Sequence, residues 1–220
     1  MSRPRDLAIA VALLLAFAGG GCVGFLTGSQ PYAFAANATE VDQSTLESTE
    51  YRLASSDSPN RTLNVTAGGQ TREVTISSEV RKYNRTVTVA PDVDGEFARF
   101  SVYSTPAASV AGRSVNPVDD WSADRLVRRL VSSTSGLSNV EFESNRSVQF
   151  LGAERTVSEY GARQSMGGVE TNVTIHLSMV EHDGDTVIAV ALHPERIDER
   201  SRVDELLAGL RHPPAEDSAS

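Results

Sequence analysis

Residues 172–192 read NVTIHLSMVEHDGDTVIAVAL, and the difference between the two halves of that stretch decides the fold. In the first half Val173, Ile175, Leu177 and Met179 alternate with Asn172, Thr174, His176 and Ser178, the period of two that gives a strand one apolar and one polar face. In the second half the apolar run over residues 186–192 is nearly continuous, which predicts a central strand covered on both faces. The Glu181-His182-Asp183-Gly184-Asp185 segment between them is hairpin chemistry, because Asp-Gly readily takes the positive φ of a tight turn. Its carboxylates lack the ligand spacing of a calcium loop, as do those of Asp92-Val93-Asp94-Gly95, so both read as turns.

Working outward, residues 148–151 and 156–162 flank Gly152-Ala153 as a second hairpin. Residues 97–104 place Ala98, Phe100 and Val102 on one face, and Thr105-Pro106 ends that strand because proline removes a ladder donor. Residues 86–89 form a strand that runs into a turn over 91–95. Farther back, Leu63 and Val65 alternate with Asn64 and Thr66, Gly68-Gly69 turns the chain, and Val74, Ile76, Ser78 and Val80 continue at period two. Residues 55–60, SSDSPN, read as a polar loop.

Helical signals interrupt the strands. Over residues 122–133, Ser122 caps, Asp124 sits in the positive first turn, and Leu126, Val127, Leu130 and Val131 form the buried stripe. Trp121 reads as a lid on the helix start, and Arg125, Arg128 and Arg129 lie off the stripe, where a solvated face is a simpler reading than an anion site. A last helix begins at Ser201 with Asp204 as capping-box partner and buries Val203, Leu206, Leu207 and Leu210. A short helix over residues 42–49 is capped by Asp42 or Ser44, with Leu46 inward. The expectation is one α+β domain over residues 41–211, a mostly antiparallel β-sheet with two or three helices packed on it, followed by a disordered tail over 212–220.

Location is legible at the other end of the chain. Behind Arg3 and Arg5, residues 7–22 read LAIAVALLLAFAGGGC, a basic start, an uncharged apolar run and a small-residue segment ending in the sole cysteine. This is the pattern of an export signal over residues 1–21, leaving Cys22 as the lipid-modified N-terminus and residues 22–40 as a tether. Gly19 departs from the aliphatic residue usual at its position. The alternative is an uncleaved anchor, because residues 7–26 carry no charge and are long enough to span a bilayer core. Both readings keep Arg3 and Arg5 in the cytoplasm and put the domain on the extracytoplasmic face of the cell membrane. With no second cysteine, a mature chain of 199 residues (220 minus 21) must be held by its core alone. Arg3-Pro4-Arg5 also lacks the adjacent pair of a twin-arginine signal, which leaves general secretion as the route.

The chain has 29 acidic against 20 basic residues, a net charge of −9, and Lys82 is its sole lysine. Such a surface repels phosphate backbones, so nucleic acid is not an expected partner. Acidity with scarce lysine suits a protein kept hydrated in strong brine, and equally an ordinary acidic protein from a GC-rich genome. Six of the eight asparagines stand in the acceptor pattern N-x-[ST]: Asn37, Asn60, Asn64, Asn84, Asn145 and Asn172. The excess predicts N-glycosylation outside the cell; Thr-rich strands that happen to follow Asn are the competing reading.

Catalytic patterns are missing. There is no G-x-S-x-G elbow, Ser165 in RQSMGG lacks the leading glycine, and the four histidines are scattered with no HExxH. No Walker loop or dinucleotide fingerprint is present. His176, on the polar side of its strand beside the Asn172 sequon, reads as a surface histidine. No catalytic residue, metal ligand or cofactor is expected.

Several local patterns together resemble a family of uncharacterised lipoproteins of extremely halophilic archaea. They are GGGC running into GFLTGSQP, AGGQTREV at 67–74, FSVYSTP at 100–106, AGRSVNPV at 111–118, WSADRLV at 121–127 and LGAERTV at 151–157. The resemblance implies a lipid-anchored, salt-adapted domain of unknown function and brings no activity with it. Many such relatives look like twin-arginine substrates, from which Arg3-Pro4-Arg5 departs. The element order is also similar to small sandwich domains of the photosystem-extrinsic type, an analogy that supplies no function. The expectation is a non-enzymatic, envelope-bound module that binds a small ligand or another envelope protein. The alternatives are an extracytoplasmic hydrolase built from dispersed carboxylates, and a membrane-anchored structural partner of the surface layer.

Overall fold

The structure, a computed structural model, describes residues 32–213 apart from 111, 117, 119–120, 134–135 and 167. In chain order the elements up to the middle of the chain are β1 (Tyr32–Ala35), β2 (Glu40–Val41), α1 (Gln43–Thr49), β3 (Arg52–Asp57), β4 (Asn60–Ala67), β5 (Gln70–Ser77), β6 (Glu79–Ala90) and β7 (Val93–Pro106). They continue with β8 (Ser109–Val110), β9 (Arg113–Ser114), α2 (Ala123–Ser133), β10 (Ser138–Phe150), β11 (Ala153–Met166), β12 (Val169–His182), β13 (Asp185–Pro194), α3 (Arg200–Ala208) and β14 (Leu210–Arg211).

Seven strands make one antiparallel sheet in the order β10-β11-β12-β13-β7-β6-β3. The hairpins β10 to β13 follow one another, and β13 then pairs with β7, so the nearly continuous apolar strand lies inside the sheet as expected. Its residues divide by parity. Val187, Ala189 and Ala191 join a core with α3, Tyr83, Phe100 and Phe150, while Ile188 and Leu192 join another with α2, Ile175 and Met166. The sheet is therefore a middle layer with α1 and α3 on one face and α2 on the other, an α+β arrangement dominated by strands. Helix α3 holds on through Val203, Leu206 and Leu207, all buried, and truncating either leucine to alanine costs about 2–5 kcal/mol. Gly209 ends it where α1 approaches, since a Cβ there would collide with Thr45.

A second, three-stranded sheet, β1-β5-β4, carries the predicted β4–β5 hairpin. Here the structure departs from the sequence reading. Residues 32–35, assigned to the tether, form β1, which pairs in parallel with β5 because Tyr32 and Phe34 alternate with alanines and pack on the buried Val74 and Ile76. Residues 55–57, read as loop, belong to β3, which pairs with β6. His212, assigned to the disordered tail, is buried and lies 2.8 Å from Thr39 Oγ1. Asp42 caps α1 as expected, accepting from the Thr45 amide at 2.9 Å. Leu130 and Val131 lie outside the described side chains, and Cys22 and residues 1–31 outside the described residues. Among the described residues no helix is long and apolar enough to cross a membrane.

Candidate functional site

On the α2 face, Val80, Tyr103 and Ile188 are successive cross-strand partners on β6, β7 and β13, and Val190 pairs with Leu177 one row along. These side chains make a continuous apolar floor that α2 covers only in part. Trp121, Leu126 and Val127 form the opposite wall, and between wall and floor lies an open-mouthed cavity of about 940 Å³. That size suits a small organic ligand. Arg61 of β4 and Arg125, Arg128 and Arg129 of α2 line the mouth, all exposed. The Arg125 guanidinium lies 5.1 Å from the centroid of the Trp121 ring, within cation–π range. No carboxylate pairs with Arg61, Arg125 or Arg128 among the described residues. The Trp121 Nε1 is buried and has no hydrogen-bond partner among them.

The α3 face treats its polar groups in the opposite way. Arg146, Glu159, His176 and His193, from β10 to β13, stand side by side, and Arg200 and Asp204 of α3 close over them. Glu159 Oε2 accepts from Ser144 at 2.5 Å and from Arg200 at 2.8 Å, and its Oε1 lies 3.1 Å from Arg146. Arg146 donates to Asp204 at 2.7 and 3.1 Å and reaches His176 Nδ1 at 3.0 Å. The tautomers follow from the partners. His193 Nδ1 lies 3.0 Å from the Pro194 carbonyl, which only accepts, so that nitrogen carries the proton and Nε2 is an acceptor. His176 Nε2, 2.9 Å away, must donate to it, leaving His176 Nδ1 to accept from Arg146. Glu159 Oε1, 3.2 Å from that same Nδ1, is bridged to it by the guanidinium.

Burial, followed by the Arg146 charge, pushes His176 down to about 3, and burial lowers His193 as well. Both rings are neutral at pH 7. A cleft of about 280 Å³ reaches this cluster, yet every ring nitrogen is already engaged inside the protein. The cluster can weld four strands to α3, and it leaves no imidazole nitrogen to act as a base. Among the described residues no group of three or more His, Cys, Asp or Glu is placed to hold a metal.

Two expectations are corrected on this face. His176 is 3 % exposed rather than at the surface, because α3 covers the polar side of β12. Asp204 pairs with Arg146 instead of capping α3, and Glu199 occupies the N-cap position without making a capping bond. The Glu199 carboxylate points inward, fully buried, where it accepts from the Tyr51 hydroxyl at 3.1 Å and pairs with Arg85. Burial and that carboxylate raise Tyr51 far above the ordinary phenol range. Another buried polar set ties down both ends of the domain. His212 Nε2 is 3.2 Å from Asp185 Oδ2, which accepts from the Asn37 amide at 2.8 Å, while Thr39 Oγ1 is 2.7 Å from Ser104 Oγ.

The sequons fall into two groups. Asn60, Asn64, Asn145 and Asn172 are exposed on strands, whereas Asn84 is half-buried and donates to Glu96 at 3.1 Å. Asn37 donates to the Pro213 carbonyl at 3.4 Å, and the Thr39 hydroxyl of its sequon is buried. On α2 the sequence shows Trp121 and its arginines, but Val80, Tyr103 and Ile188 converge only through strand register, and Arg61 arrives from the other sheet.

No curated protein matches the chain. Among solved structures, the crystal structure of a protein of unknown function, PA94 from Pseudomonas aeruginosa, is similar over 70 % of this chain and 99 % of its own, at 12 % identity and a TM-score of 0.37. Residues 38–211 match the family described as Domain of unknown function (DUF6517). That span takes in the whole seven-stranded sheet and all three helices among the described residues, and the chain belongs to this family.

Proposed function

We propose that the chain is a non-enzymatic binding module of the cell envelope, moored at the outer face of the cytoplasmic membrane by lipid on Cys22, whose small ligand enters the cavity between α2 and the sheet. The observation that carries this reading is the cavity itself: beside the buried Ile188 and Leu177, the strand side chains of Val80, Tyr103 and Val190 are only partly covered, and a cavity of about 940 Å³ opens between them and α2. The export pattern over residues 1–22, the lysine-poor acidity and the likeness to halophilic archaeal lipoproteins support the location. The internal saturation of the Glu159–His176–His193 cluster favours a framework role there over hydrolysis. Exposed Asn60, Asn64, Asn145 and Asn172 are the acceptors best placed for glycans, and Asn37 the worst.

One observation favours the surface-layer partner as a second reading. Phe142 and Leu53, the large exposed hydrophobics, sit on β10 and β3, the two edges of the main sheet, where a partner strand would add.

Mass spectrometry of the protein isolated from its own envelope tests the proposal. We expect a chain that starts at a lipid-bearing Cys22 and releases a small molecule on denaturation. Cys22→Ser should abolish lipid labelling and leave unprocessed precursor. A chain still beginning at Met1, with neither lipid nor released ligand, contradicts both the anchor and the binding role.

A further inference from the structure

We propose that the cavity beneath α2 takes an anionic amphiphile: an alkyl or aromatic body lying on the Val80–Tyr103–Ile188 floor, with a carboxylate, phosphate or sulfate head held at the mouth by Arg125, Arg128 and Arg61. This rests on the reading of the chain as a binding module and names the class of its ligand.

Three features of the cavity converge on that class. The floor and far wall are aliphatic and aromatic, so a polar ligand such as a sugar would lose its hydration without gaining partners. The mouth is cationic on a chain whose net charge is −9. Arg125 and Arg128 are three residues apart on α2 and so project on the same side of the helix, and Arg61 faces them from β4. Elsewhere among the described residues Arg81, Arg85, Arg146, Arg200, Arg202 and Arg211 each have a carboxylate within ion-pair distance, while Arg52, Arg113, Arg155 and Arg163 do not, so what sets Arg61, Arg125 and Arg128 apart is their convergence on an apolar cavity. Guanidinium forks match carboxylate and phosphate oxygens, so arginines left without such a partner beside an apolar cavity select for an anionic head. The third feature is the buried Trp121 Nε1, a donor with no acceptor among the described residues, which a head-group oxygen would satisfy. A cationic amphiphile would meet like charge at the mouth, and a neutral one would gain the floor alone.

Trp121 is the sole tryptophan and lines the cavity, so its fluorescence reports this site. The test uses the full-length chain in phosphatidylcholine vesicles, titrated with the contact quencher 11-bromoundecanoate, with 11-bromoundecanol, with 11-bromoundecyltrimethylammonium and with sodium bromide. We expect saturable quenching by the carboxylate at a concentration about tenfold or more below that of the alcohol or the ammonium, and none that saturates with bromide. In the double variant Arg125→Gln and Arg128→Gln, checked for folding by circular dichroism, the preference for the carboxylate should vanish while quenching by the alcohol persists. A separate titration with brominated anionic phospholipid in the same vesicles distinguishes the source: quenching supports a bilayer lipid as donor of the anionic head, and its absence beside a positive carboxylate result supports a soluble acid. Equal quenching by carboxylate, alcohol and ammonium overturns the anionic class and leaves the binding module standing. No saturable quenching by any of them overturns both.

Discussion

The two faces of the seven-stranded sheet are made by alternate residues of the same strands, yet one face is filled and cross-linked while the other, packed around Ile175 and Leu192, leaves a cavity between α2 and the strands. Ala189 looks towards α3 into a core with Phe100 and Phe150, and Val190, the next residue, looks towards α2 into the cavity. Across the α3 face Glu159, His176, His193 and Glu199 are all buried, and each finds partners inside the protein. Across the α2 face the polar groups of Arg61, Arg125, Arg128 and Trp121 stand beside apolar surface with no carboxylate among the described residues to meet them. Burying charge is tolerated only when it is paired, so the first pattern is what a framework requires. The second is what a site for something from outside requires.

The largest effect that would break this contrast lies on the closed face. Glu199→Ala should lower the unfolding free energy by about 2–4 kcal/mol, since it leaves the part-buried Arg85 guanidinium with only the exposed Glu50, 3.6 Å away, and the buried Tyr51 hydroxyl without its acceptor; urea denaturation measures it. A loss under about 1 kcal/mol would mean that the pairing matters little.

Next in size is the acid limb of stability. His176 is held neutral down to about 3, whereas an unfolded histidine titrates near 6.5. Between those values the unfolded chain binds more protons than the native one, so stability falls as the pH drops through that window and levels off below it. His176→Gln keeps an acceptor for Arg146 and a donor for His193 without titrating. Its stability should therefore depend less steeply on pH from 6.5 to about 3, read by thermal melts across that range. An unchanged slope would contradict the neutral assignment.

The same strand permits a comparison at smaller cost. Ala189→Phe forces a ring into a filled core and should destabilise by about 1–3 kcal/mol or more, while Val190→Phe places the ring in open space and should cost under about 1 kcal/mol. Equal costs would mean that the α2 face is as full as its opposite. The smallest effect is expected at the mouth, where Arg128→Gln should leave stability within about 0.5 kcal/mol of the parent while weakening binding of an anionic probe.

Much of this architecture could be read from periodicity. The alternation of residues 173–179 and the apolar run of 186–192 are local patterns, and they place β12 and β13 in a covered antiparallel sheet. The same periodicity misassigned His176, because a polar face looks alike whether water or a helix bearing Arg200 and Asp204 lies over it. What covers a strand is a tertiary fact. Tyr32 and Phe34 were hidden for a related reason, since β1 gains its structure from pairing with β5 more than forty residues away. The candidate site was half visible: the WSADRLVRR segment shows Trp121 with arginines at helical spacing. Its floor is assembled by register across β6, β7, β13 and β12, and no local pattern carries that information.

Anomalous diffraction from crystals of the protein grown with 11-bromoundecanoate tests the open-face claim most directly. The predicted result is a bromine peak between Leu126 and the Ile188–Val190 floor, with the carboxylate beside Arg125 and Arg128. Bromine found only elsewhere on the surface, with α2 packed down onto Val190, would contradict it.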